Sequence, residues 1–370
     1  MSEYLIREET LTAIADAVRL KTGTADALTP QDMAEVIEAI EAGGGNEALE
    51  DDLVKRSLTE YTNNRVKTIG YGAFAYASSL SSISFQNATN VEGYAFYSCS
   101  RLNTVSLPKV TAIGYGAFDR CSSIAEIDMP SLVSIGEYAF AYCSKISAIS
   151  FPLAESIGEN AFRSCSSLVS VDLPLVTQIP LMAFCECKSL SNINVPNAKT
   201  IKSSAFDECT SLTRVSFPSV EEIGERAFYS CSFLCRVDFP AAIKIGSSAF
   251  VGCSRLYSVN FPAVETIYQR AFEDCDHYSF NTIILPAIKN ISHYAFNGCS
   301  YLNKLVMGGS YVCGLYSSTV FGGTGITSSM GTIYVPSSRI SNYQAATNWA
   351  YFSNRFSAIE DSEYAKGVTS

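Results

Sequence analysis

One dipeptide, Ala-Phe, returns along this chain at a fixed interval. The Phe stands at Phe74, Phe96, Phe118, Phe140, Phe162, Phe184, Phe206, Phe228, Phe250 and Phe272, every step being 22 residues. A last step of 24 reaches Phe296, which makes eleven units. The third residue after Phe is Cys in ten of them, from Cys99 to Cys299, and Ala77 in the first. A Pro follows Phe by twelve residues in most units, as at Pro108, Pro130 and Pro174. A repeat this strict leaves few choices. Each unit must stack on copies of itself, because a residue at a fixed phase lies beside its own copy in the next coil.

The phases define the coil. Counted from Phe, apolar residues occupy −5, −1, 0, +3, +6, +9, +11 and usually +14; around Phe162 these are Ile157, Ala161, Phe162, Cys165, Leu168, Val171, Leu173 and Val176. The alternation Val171-Asp172-Leu173 reads as a short strand with one buried face, ended by the Pro. The segment near −5, as in Gln178-Ile179, reads as a second short extended piece. The Gly that often follows it (Gly114, Gly136, Gly158, Gly224, Gly246) is expected to turn the chain. The Ala-Phe-x-x-Cys stretch is too short for a stable α-helix and is expected to form a helical turn or 3₁₀ piece. One unit cannot bury enough surface to order itself, so the fold class is a mainly β or irregular solenoid with nearest-neighbour stability. The unit A-F-x-x-C-S-x-L-x-x-V-x-F-P, with I-G before the next A-F, resembles the BspA-like (Treponema pallidum-type) leucine-rich repeat. The resemblance covers residues 66–307. Members of that family are mostly adhesion and binding surfaces, which implies recognition rather than catalysis.

The ends differ from the array. Residues 308–370 read as a degenerate last unit, a capping helix and a tail. Phe321 takes the place of the repeat Phe, and Ile333-Tyr334-Val335-Pro336 that of the strand. A helix over 337–353, capped by Ser337 or Ser338, would lay Ile340, Tyr343 and the one Trp, Trp349, over the last coil. Residues 1–42 read as two amphipathic helices, one carrying Leu11, Ile14 and Val18 and the other Met33, Val36, Ile37 and Ile40. Residues 43–65, starting with three Gly, read as a linker and N-terminal cap. Two helices this short bury little by themselves, so these seven residues are expected to serve attachment or self-association, a trimer being one arrangement. The segment LTAIADAVRLKTGTADALTPQDMAEVIEAI resembles a module of tail and baseplate-associated proteins of phages of Gram-positive bacteria. GTIYVPSSRISNYQAATNWAYFSNRF resembles the ending of repeat proteins in such phages.

Composition narrows function. The net charge of −10 divides as −9 over residues 1–60 and −1 over the remaining 310. The array is thus near neutral and offers no basic face for nucleic acid. No apolar run reaches the roughly 18 residues of a membrane span, and MSEYLIREET does not read as a secretory signal. The ladder Cys are expected to be buried thiols, a bridged ladder being the alternative. Two His in the whole chain leave little for a catalytic triad or a zinc site, and Cys275 next to Asp276-His277 is a ladder residue. No enzyme activity, cofactor or metal is expected.

That leaves surfaces. The outward +8 and +10 positions of the strand carry short polar side chains, and the candidate ligand-binding residues are Thr104, Glu126, Asp128, Asp172, Asn192, Asn194, Arg214, Arg236, Asp238 and Asn260. A second surface is the tyrosine group Tyr71, Tyr76, Tyr94, Tyr97, Tyr115, Tyr138 and Tyr142, flanking Phe in the first four units. Together with the two resemblances, these features read as a virion receptor-binding protein of a phage tail or baseplate. Its partners are a bacterial cell-surface glycan or protein and other tail proteins. The alternatives are a bacterial surface adhesin for host proteins and a structural tail component without a receptor.

Overall fold

The computed structural model describes residues 58–328 and 331–365. The fold is a β-solenoid, and the chain divides into two compact units between Val176 and Thr177. The attachment residues Leu11, Ile14, Val18, Met33, Val36, Ile37 and Ile40 lie outside the described residues.

In the first unit every coil supplies two short parallel strands. The three-residue strands are Glu60–Thr62, Ser82–Ser84, Thr104–Ser106, Glu126–Asp128, Ala148–Ser150 and Ser170–Asp172. The two-residue strands, from Thr68–Ile69 to Ser156–Ile157, stack into one five-stranded sheet. Register advances by 22 residues per coil, as in Val105 beside Ile127 and Ile113 beside Ile135. The sheet starts before the first repeat Phe: Glu60–Thr62 pairs with Ser82–Ser84, and Tyr61 packs 5.0 Å from Phe74. Between the strands runs the repeat Phe column. The rings of Phe74, Phe96 and Phe118 stack nearly parallel at 5.1 and 5.0 Å. The apolar phases are buried in most coils, Ile127, Ile193 and Val259 being half-buried; around Phe162 none of the eight exceeds 8% exposure.

The second unit repeats this plan and then closes it. Its two-residue strands, Gln178–Ile179 to Gly314–Leu315, form one seven-stranded sheet. Phe184, Phe206, Phe228, Phe250, Phe272 and Phe296 stack in line, and Phe321 continues the column 5.8 Å beyond Phe296. Strand Thr332–Val335 takes the last unit's place in the ladder beside Lys304–Val306. The helix expected over 337–353 is two pieces. A 3₁₀ turn Ser337–Arg339 runs into a short α-helix, Ile340–Ala345, and a 3₁₀ stretch Trp349–Arg355 follows after a break. Neither Ser337 nor Ser338 caps it, because the Ser337 N–H and hydroxyl donate to Glu360. The aromatic cap is present. Trp349 and Tyr343 are fully buried, Trp349 lies 6.1 Å from Phe321, and its Nε1 donates to the Cys313 carbonyl.

Two local expectations are corrected. The Ala-Phe-x-x-Cys stretch is not a helical or 3₁₀ piece. The residues two before and two after each Phe have left-handed backbone, with φ between 53° and 63° where they are not Gly, as at Tyr94, Arg120, Asn160 and Glu208. Alternate peptides therefore face opposite ways. Around Phe118, the N–H groups of Gly116, Phe118 and Arg120 donate to Glu137, Ala139 and Ala141 of the next coil, each at 2.8 Å. Those of Ala117, Asp119 and Cys121 bond three residues back, to Gly114, Gly116 and Phe118. A helix would have satisfied every N–H within its own coil and left its buried face without bonds to the neighbour. The turn is thus a third ladder. The second correction concerns Gly114, Gly136, Gly158, Gly224 and Gly246, none of which has positive φ. They are required for close approach: a Cβ on Gly136 would sit 2.7 Å from the backbone carbon of Gly114.

Candidate functional site

The outward rows of the three-residue strands follow the alternation, with a middle residue more buried than its two neighbours in every strand from Ser82–Ser84 to Thr282–Ile284. In the first unit, Thr104, Glu126, Asp128 and Asp172 all lie on this face. The polar groups join along it. Ser106 donates to Asp128 at 3.2 Å and Ser150 to Asp172 at 3.1 Å, one coil apart.

In the second unit, Asn192, Asn194, Arg214, Arg236, Asp238 and Asn260 occupy the same face. Arg214 stands directly beside Arg236 in the register. Arg236 turns to its other neighbour, where its Nε donates to the Tyr257 hydroxyl at 2.9 Å. Asp238 accepts from Ser216 on one carboxylate oxygen, at 3.1 Å, and from Asn260 Nδ2 on the other, at 2.6 Å. The structure thus draws Arg236, Asp238 and Asn260 into one cluster with Tyr257.

That cluster borders a groove on the face. Strands Arg214–Ser216, Arg236–Asp238 and Ser258–Asn260 form one sheet, and Thr282–Ile284 starts another. The ladder is interrupted between Asn260 and Thr282, in the step lengthened by the two extra residues. A groove of about 510 Å³ occupies the interruption, lined by Tyr257, Ser258, Asn260, Thr282, Ile284 and Tyr364 among others. Ile284 points outward and is 42% exposed, where the nine preceding coils from Ser84 to Asn260 place Ser, Asp or Asn. Tyr364 arrives from the C-terminal segment, which pairs as strand Phe356–Ala358 with Thr332–Val335 and then folds back over the face. Lys304 holds it there. Its Nζ lies 3.0 Å from Glu363 and 3.3 Å from the Tyr364 hydroxyl, contacts that raise the lysine pKa. On the other rim His277 lies 5.3 Å from the Tyr257 ring, with Tyr278 beside it and exposed.

Of the groove's lining, the sequence reading named Asn260 and missed Tyr257, Thr282, Ile284 and Tyr364. Ile284 carried a readable signal, an apolar residue in a polar row. Tyr364 carried none, since only the fold-back brings it near.

The tyrosine group lies elsewhere, on the turn ladder of the first unit. Tyr71, Tyr94, Tyr115 and Tyr138 follow one another at ring separations of 5.6, 5.2 and 5.5 Å. Gly93 and Gly116 make room, since a Cβ on them would come within 3.3 Å of the Tyr71 ring and 3.0 Å of the Tyr94 ring.

The residues considered for chemistry are engaged structurally. Cys275 is buried, its thiol donates to the Phe250 carbonyl at 3.2 Å, and burial raises its pKa. His277 Nδ1 accepts the Ser279 N–H at 3.2 Å. Nine ladder cysteines make the same bond to the previous coil's Phe, at 2.9–3.2 Å, and all thirteen Cys are free thiols. Among the described residues no group of three or more His, Cys, Asp or Glu could hold a metal, and no helix is long and apolar enough to cross a membrane.

Known proteins with a likeness to this chain include leucine-rich repeat proteins. A leucine-rich repeat protein from Bacteroides ovatus is 23% identical over 80% of this chain and 88% of its own, with a TM-score of 0.46. A leucine rich cell surface protein from Faecalibacterium prausnitzii is 23% identical over 80% and 90%, with a TM-score of 0.39. The T. pallidum leucine rich repeat protein is 29% identical over 53% and 82%, with a TM-score of 0.33. No curated protein matches. The profile of the BspA type leucine rich repeat region matches residues 67–187, 177–303 and 276–328. With its coils, strands and Phe column in that register, the chain belongs to the BspA-type leucine-rich repeat family.

Proposed function

We propose that this chain is a recognition protein of a phage tail or baseplate, and that the strand face of its second unit contacts the bacterial surface. The observation that carries this reading is the groove beside Asn260. It is a concave, mixed aromatic and polar surface set into rows of short polar side chains. Elsewhere on the rows Ser106 bonds to Asp128, Ser150 to Asp172 and Ser216 to Asp238. The resemblance of residues 11–40 to tail and baseplate modules supports the virion context. Residues Leu11 to Ile40 would then serve attachment to other tail proteins or to further copies of the chain.

The test is direct. The labelled full-length protein is applied to a panel of intact Gram-positive bacteria, beside the variants Ile284→Lys and Tyr71→Ala, both at exposed positions. Strain-selective binding is expected, weakened about tenfold or more by Ile284→Lys and unchanged by Tyr71→Ala. Binding to no strain would sink the reading, and binding to host matrix proteins instead would put an adhesin in its place.

A further inference from the structure

The groove also restricts what it can hold. We propose that the cleft between Ser258–Asn260 and Thr282–Ile284 binds a neutral pyranoside unit of a glycan, a ligand class that deepens, and rests on, the reading of this face as the contact surface.

The walls supply the first argument. Tyr257 and Tyr364 bring two aromatic rings to the cleft, and Ile284 an exposed aliphatic surface. A pyranose ring has C–H faces that pack on such surfaces, and hydroxyl edges that need partners. Ser258, Asn260 and Thr282 provide donors and acceptors on the same lining. His277 and the exposed Tyr278 extend the aromatic wall beyond Tyr257.

Charge supplies the second. Three charged side chains beside the cleft have partners within the protein. Arg236 is tied to Tyr257, Asp238 to Ser216 and Asn260, and Lys304 to Glu363. An anionic ligand would approach Asp238 and compete with Glu363 for Lys304. A cationic one would meet Arg236 and Lys304. Each meets a like charge and disturbs existing charge-assisted bonds. A neutral polyol adds hydrogen bonds without breaking them.

Backbone geometry argues against an extended peptide. Adding a strand depends on a run of edge N–H and C=O groups. Here each edge strand has three residues, and Pro262 and Pro286 stand two residues past their ends.

Saturation-transfer NMR on the full chain tests this, with maltotetraose and an N-acetylglucosamine tetramer as probes and sialic acid as the anionic control. Transfer to ring protons of at least one neutral probe is expected, with none to sialic acid. Tyr364→Ala and Ile284→Lys should each weaken that binding about tenfold, and Tyr71→Ala, on the other unit, should leave it intact. Tyr364 lies outside the buried core, and an unchanged melting temperature would show that each variant folds. Transfer to neither neutral probe, or transfer insensitive to both groove variants, overturns the proposal. Cell binding separates the two levels. If bacteria are still bound in an Ile284-dependent way, the face stands and the ligand class falls; if they are not bound, both fall.

Discussion

A non-glycine residue at positive φ costs roughly 1–2 kcal/mol, yet this chain places Tyr, Arg, Met and Glu there in coil after coil. Each such residue is offset by the N–H it turns toward the next coil. The cysteines answer a related demand, since each Phe carbonyl that accepts within its own turn also receives a thiol from the following coil. Burial pushes the Cys165 thiol up to about 12. Alkylation of the native protein at about pH 8 should therefore modify the partly exposed Cys235 first, and the ladder thiols only on unfolding, as read by mass spectrometry. Asp119 behaves differently. Burial raises its carboxyl from 3.8 to about 6 against the opposing pull of Arg120, and its Oδ1 is buried without a hydrogen-bond partner. The folded state therefore holds a proton that the unfolded chain has released, so ionisation opposes folding increasingly from about pH 4 to about pH 6 and by a constant amount above. Asp119→Asn should raise the melting temperature at about pH 7, and the gain should vanish near about pH 3.5, where both forms are neutral.

At the level of elements, three ladders hold each coil to the next: the two strands and the turn. They tolerate change unequally. Gly136 lies against the Gly114 backbone, and a methyl there forces two coils apart. Gly136→Ala should cost about 1–3 kcal/mol or more, measured by denaturant titration. Gly72 has open space around its Cβ position but φ of +63°, so Gly72→Ala should cost only the backbone strain of about 1 kcal/mol. Equal costs would mean that close approach is not what selects Gly at the first position. The groove is also an element-scale event. Two residues inserted between Phe272 and Phe296 leave the Phe column unbroken, with a separation of 5.4 Å, and fall at one of the steps where the strand ladder is interrupted, the others lying between Asp128 and Ala148 and between Asn194 and Arg214. The buried column resists a gap because its packing is lost outright, whereas strand-edge groups can turn to water.

Across the whole molecule, stability passes between neighbouring coils, and the last coil needs a cover. Trp349 supplies it, packed on Phe321 and bonded to Cys313. Trp349→Ala should cost about 3–5 kcal/mol. Hydrogen exchange should show the loss of protection starting in the coils of Phe296 and Phe321 while the first unit keeps its own. Uniform loss along the chain would show instead that stability is not carried coil by coil. The recognition reading also belongs to this scale, since its face is assembled from strands of successive coils and no single repeat contains it.

The 22-residue interval was enough to settle the solenoid, its core phases and the identity of the outward face, because a residue at constant phase has nowhere to go but beside its own copy. Ala161, Phe162 and Cys165 could be placed in the core from spacing alone, and Asn260 on the surface. The turn's conformation could not be read, since Tyr94 or Arg120 at positive φ contradicts local preference and is imposed by the next coil's carbonyls. Nor could the groove. It depends on where the strand ladder breaks and on a C-terminal segment that returns to set Tyr364 near Tyr257. Both follow from contacts between residues far apart in the chain, where periodicity carries no information and packing decides.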